Sequence, residues 1–199
     1  MNKKLFGIAL ACGCVAALLC SMVGFKNSCD DMYDGIIRIR ILANSNSDLD
    51  QQLKLKIRDA VINDTKTLYG DVDNINDAAV ITEASLNRFR SIALNTVNAC
   101  GFDYDVRVEF KDEYFDTKVY DDFTLPAGVY KTAVFYVGEA KGKNWWCVIF
   151  PQVCVGSCSA GLETTLKESS VEAAYNPEKY EVRFKTVEIF ENIKKYFVF

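Results

Sequence analysis

Residues 5–25 carry no charged side chain, and no other feature constrains the chain as strongly. As a helix these 21 residues reach about 32 Å, enough for a hydrocarbon core of roughly 30 Å. Lys3 and Lys4 precede the run and Lys26 closes it. That charge order holds the N-terminus in the cytoplasm and sends everything after Lys26 across the membrane. A cleaved signal peptide has a shorter apolar core and a clean small-x-small site. Here Ala9-x-Ala11 stands too early, and Cys20 lacks the small preceding residue of a lipoprotein box. Cleaved signal and uncleaved anchor both stay open. The expected organisation is residues 1–28 as signal peptide or signal anchor and residues 29–199 as a single exported α+β domain, a length suited to one core.

All 27 acidic residues but only 20 of the 23 basic ones lie beyond Lys26, a net charge of −7. Such a balance argues against nucleic acid and anionic lipid as partners, leaving the membrane to the N-terminal segment alone. The chain has no histidine, which excludes Ser-His-Asp and Cys-His nucleophiles, HExxH zinc sites and histidine proton shuttles. Of the eight cysteines, Cys12, Cys14 and Cys20 sit in the apolar run as small hydrophobes. The other five, Cys29, Cys100, Cys147, Cys154 and Cys158, are exported, so disulfides are open to them. Their odd number leaves at least one unpaired or paired between chains, with Cys29 beside the membrane favoured.

Within the exported part, Ile37, Ile39 and Ile41 alternate with Arg38 and Arg40, the pattern of a strand with one apolar and one cationic face. Asn44-Ser-Asn-Ser47 ends it, and Ser47 with Asp50 has capping-box spacing, so a helix begins there. Leu53, Ile57, Ala60, Val61 and Leu68 carry that helix to a stop at Gly70, and a second helix is predicted over residues 75–100. Period two then takes over at Tyr104, Val106, Val108 and Phe110. Residues 129–137 and 144–150 read as a hairpin with a long tip, and residues 180–184 as extended before a C-terminal helix. The fold class is α+β, mainly antiparallel sheet with two consecutive helices near its start and a C-terminal helix, without internal repeats.

Candidate chemistry is sparse. Gly138-Glu-Ala-Lys-Gly-Lys-Asn144 is one residue short of a phosphate loop and lacks its Ser or Thr, so its glycines are read as turn residues. Cys147, Cys154 and Cys158 lack the CxxC clasp of a zinc site; a Cys147 to Cys154 disulfide is favoured instead. The acid pairs Asp30-Asp31, Asp112-Glu113 and Asp121-Asp122 read as solvated. No catalytic residue, metal or cofactor is expected. Trp145-Trp146 puts one indole on each face of its strand, so one joins the core while the other is able to anchor a partner.

Two stretches carry a resemblance. Arg38-Ile-Arg-Ile-Leu-Ala-Asn-Ser-Asn-Ser-Asp48, continuing through Asp50-Gln-Gln-Leu-Lys54 to Arg58-Asp-Ala-Val61, resembles the N-terminal signature of the stage II sporulation protein R family. Pro126-Ala-Gly-Val-Tyr130, then Gly142-Lys-Asn-Trp-Trp-Cys-Val-Ile-Phe-Pro151 and Cys154, is similar to the second signature, departing at Gln152-Val153. The resemblance implies a signalling protein of endospore formation, not an enzyme. It is made in the forespore, exported into the space between the septal membranes, and read by the membrane-embedded protease that processes the sigma-E precursor. Expected to contact that partner, or to hold the contact surface in shape, are Arg38, Arg40, Asn44, Ser45, Ser47, Asp48, Asp50, Trp145 and Trp146. The alternatives are an exported hydrolase or thiol enzyme using Cys147 or paired carboxylates such as Asp121, and a membrane-anchored structural module of the envelope.

Overall fold

The computed structural model describes residues 3–70, 72–120, 122–151 and 159–197. The elements in order are α1 (Lys3–Gly35), β1 (Ile37–Leu42), α2 (Asp48–Leu68), α3 (Ile75–Ala84), α4 (Leu86–Ala99), β2 (Val106–Phe115), β3 (Lys118–Val119), β4 (Thr124–Leu125), β5 (Gly128–Val137), β6 (Asn144–Phe150), a 3-10 turn (Ser159–Thr164), α5 (Glu168–Tyr175) and α6 (Pro177–Phe197). The uncharged run is helical as its composition requires, and α1 continues past Lys26 to Gly35. Among the described residues no helix is long and apolar enough to cross a membrane. Entry of residues 5–25 into a membrane is an expectation from the length and charge pattern of the sequence.

The chain forms two compact units. One, Tyr33–Phe115 with Val129–Leu166, contains a mixed, mostly antiparallel sheet in the order β2-β5-β1-β6. β1 runs parallel to β5, with Ile39 opposite Ala133, and antiparallel to β6, with Arg40 opposite Trp146. The hairpin expected from the adjacency of β5 and β6 is thus corrected, since β1 lies between them. Composition explains the insertion. Ile37, Ile39 and Ile41 are all fully buried, each worth about 2–3 kcal/mol against exposure, and a strand that apolar gains most at the centre of a sheet.

Ile39, Ile41 and Phe135 share the sheet face against which α4 packs, with the Phe89 and Phe135 rings 6.0 Å apart. The second predicted helix is divided at Ser85, where ψ of 2° tightens one turn. Thr82, one turn earlier, donates from Oγ1 to the Ala78 carbonyl at 2.6 Å, a back-bond that bends helices.

The second unit comprises Met1–Met32, Asp116–Gly128 and Lys167–Phe199. It contains α5, α6, most of α1 and the small antiparallel pair β3 and β4, with Lys118 opposite Leu125. Residues 180–184, expected to be extended, are helical. Pro177 supplies a helix start, and Tyr180 and Phe184, one turn apart, both pack on Phe25, at ring distances of 5.5 and 5.0 Å. Val182 between them is 78% exposed, so the apparent alternation never marked a buried face.

Candidate functional site

Two loops of the sheet unit meet at one end of β1. The first leaves β1 through Ala43 to Ser47 and enters α2; the second, residues 138–143, joins β5 to β6. The first loop accepts four backbone N–H groups of the second. Asn44 Oδ1 accepts from Glu139 N at 2.9 Å and Asn46 Oδ1 from Lys143 N at 2.8 Å. The carbonyls of Asn44 and Ala43 accept from Lys141 N at 3.1 Å and Gly142 N at 2.8 Å. Amides that would cradle a phosphate are therefore already engaged, which agrees with reading this glycine loop as a turn. Gly138 has φ of +57°, and a Cβ on Gly142 would lie 2.2 Å from the Ser45 carbonyl oxygen.

Asp50 ties the first loop together. It is 4% exposed, and its Oδ2 accepts from Ser45 Oγ at 2.5 Å and Asn44 Nδ2 at 3.0 Å. Ser47 caps α2 as expected, its Oγ accepting from Asp50 N at 3.2 Å. Burial alone would raise the Asp50 carboxyl, but hydrogen bonds with Ser45, Asn44, Tyr104 and Ser47 outweigh it and hold the group below the usual carboxylate range. Asp48 is exposed in the first turn of α2, where a negative charge suits the helix dipole.

That depressed pKa makes the knot pH-sensitive. As pH falls, the unfolded chain, with its Asp near 3.9, binds the proton before the folded one. The stabilisation is complete above that value and is lost as pH drops towards the folded pKa. Asp50→Asn is expected to cost about 2 kcal/mol at pH 7 by leaving buried donors without their charged acceptor. The gap between the urea midpoints of wild type and variant should narrow at pH 3; a gap that does not change with pH rules out this role for the carboxylate.

The remaining expected residues divide between the two faces of the sheet. Trp146 and Arg40 are opposite one another on the face away from α4. Arg40 there pairs with Glu113, which Lys111 Nζ also approaches at 3.3 Å. Lys111 donates to the Tyr136 hydroxyl at 2.8 Å, and the Arg107 guanidinium lies 4.2 Å from the Tyr136 ring centre. The result is a half-buried ladder of charged and aromatic side chains across β2, β5, β1 and β6. Trp145 is on the opposite face, with Arg58 of α2 5.4 Å from its ring centre. Both indoles are half-buried.

Arg38 is fully buried rather than part of an open cationic face, its guanidinium 3.8 Å from the Phe115 ring centre and 4.9 Å from that of Tyr130. Cys147 is 7% exposed on β6; its expected partner Cys154 lies outside the described residues, as does Asp121. Among the described residues no group of three or more Cys, Asp and Glu side chains could hold a metal.

Sequence reading missed Asn46, Gln51, Lys54, Tyr104 and the structural need for Gly142. Gln51 Nε2 donates to the Ser45 carbonyl at 2.8 Å, and Lys54 Nζ donates to Gln51 Oε1 at 2.6 Å and to the Lys143 carbonyl at 3.0 Å. The trace of them in the sequence is the density of Asn and Ser before α2, which marks a cap and a shaped surface but not the loop it binds.

Comparison with known proteins bears on this site. Residues 33–160 match the family described as Stage II sporulation protein R (spore_II_R), a range that contains both loops and the whole four-stranded sheet. The Stage II sporulation protein R of Bacillus subtilis (strain 168) is 39% identical over 141 residues, 71% of this chain and 62% of the relative. The match thus spans less than two thirds of that relative's length. No solved structure matches the chain significantly. The chain belongs to the stage II sporulation protein R family.

Proposed function

We propose that the chain is an exported signalling protein of endospore formation. It is made in the forespore, passes into the intermembrane space by way of the residue 5–25 segment, and acts there as a protein ligand rather than an enzyme. Its partner is the membrane-embedded mother-cell protease that processes the inactive sigma-E precursor. The observation that carries the reading is the meeting of the two segments by which the chain resembles its family. About ninety residues apart in sequence, they interlock through four backbone N–H groups and present Trp145 and Trp146 just beyond the junction. A ligand needs only a shaped surface complementary to its receptor, and a polar knot of this kind supplies the shape. Export would also permit the Cys147 to Cys154 disulfide to staple the end of β6 to the loop beyond it.

The test is co-expression of the chain, the cognate protease and the sigma precursor in a non-sporulating host. Processing should require the exported domain and survive exchange of residues 1–25 for another cleavable export signal. Absence of processing with all three proteins present and folded overturns the reading. Processing lost only on exchange of the segment would instead favour an anchored envelope module.

A further inference from the structure

The polar knot leaves unexplained the charge on a group of side chains beside it. Lys54 and Arg58, one turn apart on α2, lie on the side facing β6, where Lys143 and Trp145 stand. Lys54 is 6% exposed, yet its ammonium meets only neutral acceptors, Gln51 Oε1 and the Lys143 carbonyl. Among the described residues no carboxylate pairs with Lys54 or Lys143, and the acid bonded to Arg58 is its own neighbour Asp59, at 2.7 Å and 65% exposed. Three cations thus face one solvated carboxylate, in an exported region whose net charge is −7. Burial, and then the charges of Lys143 and Arg58, push the Lys54 pKa down.

Neutral Gln or Met at position 54 would avoid the penalty of a buried charge without a counter-ion, and like charges nearby increase that penalty. Charged groups held against their own electrostatics are enriched at functional sites. We infer that Lys54, Arg58, Lys143 and Trp145 form a docking patch for an acidic segment of a partner protein, whose carboxylates neutralise the three cations while a flanking apolar residue covers the indole. Three cations within one helical turn and one strand end suit a short peptide. An extended polyanion or an anionic membrane would also meet the surrounding negative charge. The inference rests on the reading of the chain as a protein ligand and names the surface and chemistry that reading lacks.

Two experiments separate the claims. In the three-protein assay, Arg58→Glu with Lys143→Glu should reduce precursor processing about tenfold or more, with exported amount and thermal unfolding as in wild type. Lys56→Glu, a single charge reversal on another face of α2, should stay within twofold, whereas Arg58→Gln should not, if position rather than net charge decides. Full processing by the double variant overturns the patch and leaves the signalling reading standing, because the wild type still drives processing. Failure of the wild type itself overturns the signalling reading, and the second experiment then judges the patch alone. With Trp146→Phe isolating the Trp145 fluorescence, the full chain is titrated with a Glu-rich peptide, its Gln counterpart and phosphatidylglycerol vesicles. A saturable change with the Glu peptide alone, lost in Arg58→Glu/Lys143→Glu, supports the patch. No change with the peptide, or a response to vesicles instead, overturns it.

Discussion

Gly142→Ala is expected to destabilise the sheet unit by about 3 kcal/mol, the loss of several backbone hydrogen bonds at roughly 1 kcal/mol each, and to release the 138–143 loop. The added Cβ would lie 2.2 Å from the Ser45 carbonyl oxygen, 2.6 Å from its carbon and 2.9 Å from Ala43 Cβ. The main obstacle is backbone, which cannot rotate aside as a side-chain tip can. Relief requires the loops to part, and with them go the bonds from Lys141, Gly142 and Lys143 to the first loop. Gly101 is the control. Its φ is +80° but nothing lies within 4 Å of an added Cβ, so Gly101→Ala should cost only about 1 kcal/mol, the penalty of the backbone conformation. Urea unfolding measures both, and hydrogen exchange at residues 139–143 locates the damage. Equal costs for the two substitutions would falsify the close-approach account.

Arg38→Ala is expected to be at least as damaging, lowering the melting temperature by about 10 °C for a loss near 4 kcal/mol. The guanidinium lies against Phe115 and Tyr130, whose rings meet edge to face 6.0 Å apart, with Tyr33 edge-on to Tyr130 at 5.1 Å. Truncation removes cation-π contacts worth about 2 kcal/mol when desolvated and opens a cavity whose usual cost is about 2–5 kcal/mol. Arg38→Met separates these effects by keeping most of the volume and removing the charge; it should recover about half the loss. An alanine variant that melts within 2 °C of wild type, with circular dichroism confirming the native fold, excludes the aromatic clamp.

Local periodicity made much of this fold legible. β1, α2, β5 and β6 lie within a residue or two of their expected bounds, because alternation and helical spacing are properties of neighbouring residues. Strand pairing is not. The short connection from β5 to β6 invited a hairpin, whereas the order of the sheet was decided by the apolar demand of a strand about a hundred residues earlier in the chain. The central place of β1 is also why Arg38 is buried: charge alone suggests a cationic solvent face, whereas the guanidinium lies against aromatic rings of β2 and β5. For the site, Ser47 and Asp50 were visible as a cap. The link from Asn44 and Asn46 to residues 138–143 was not, since a side chain accepting from a distant backbone N–H imposes no period on either segment.

Sheet order also bears on how the chain acquires its structure. β1 is made early, yet both of its hydrogen-bonding neighbours, β5 and β6, lie beyond residue 127, with α2, α3, α4 and β2 synthesised in between. Helices form from local contacts as soon as they emerge, while the sheet must wait for loop closure over this separation. For most of its emergence from the ribosome the chain is therefore a string of helices around an unpaired, isoleucine-rich strand, and the last strand to appear completes the sheet. Such a chain completes its sheet only once β6, ending at Phe150, is present.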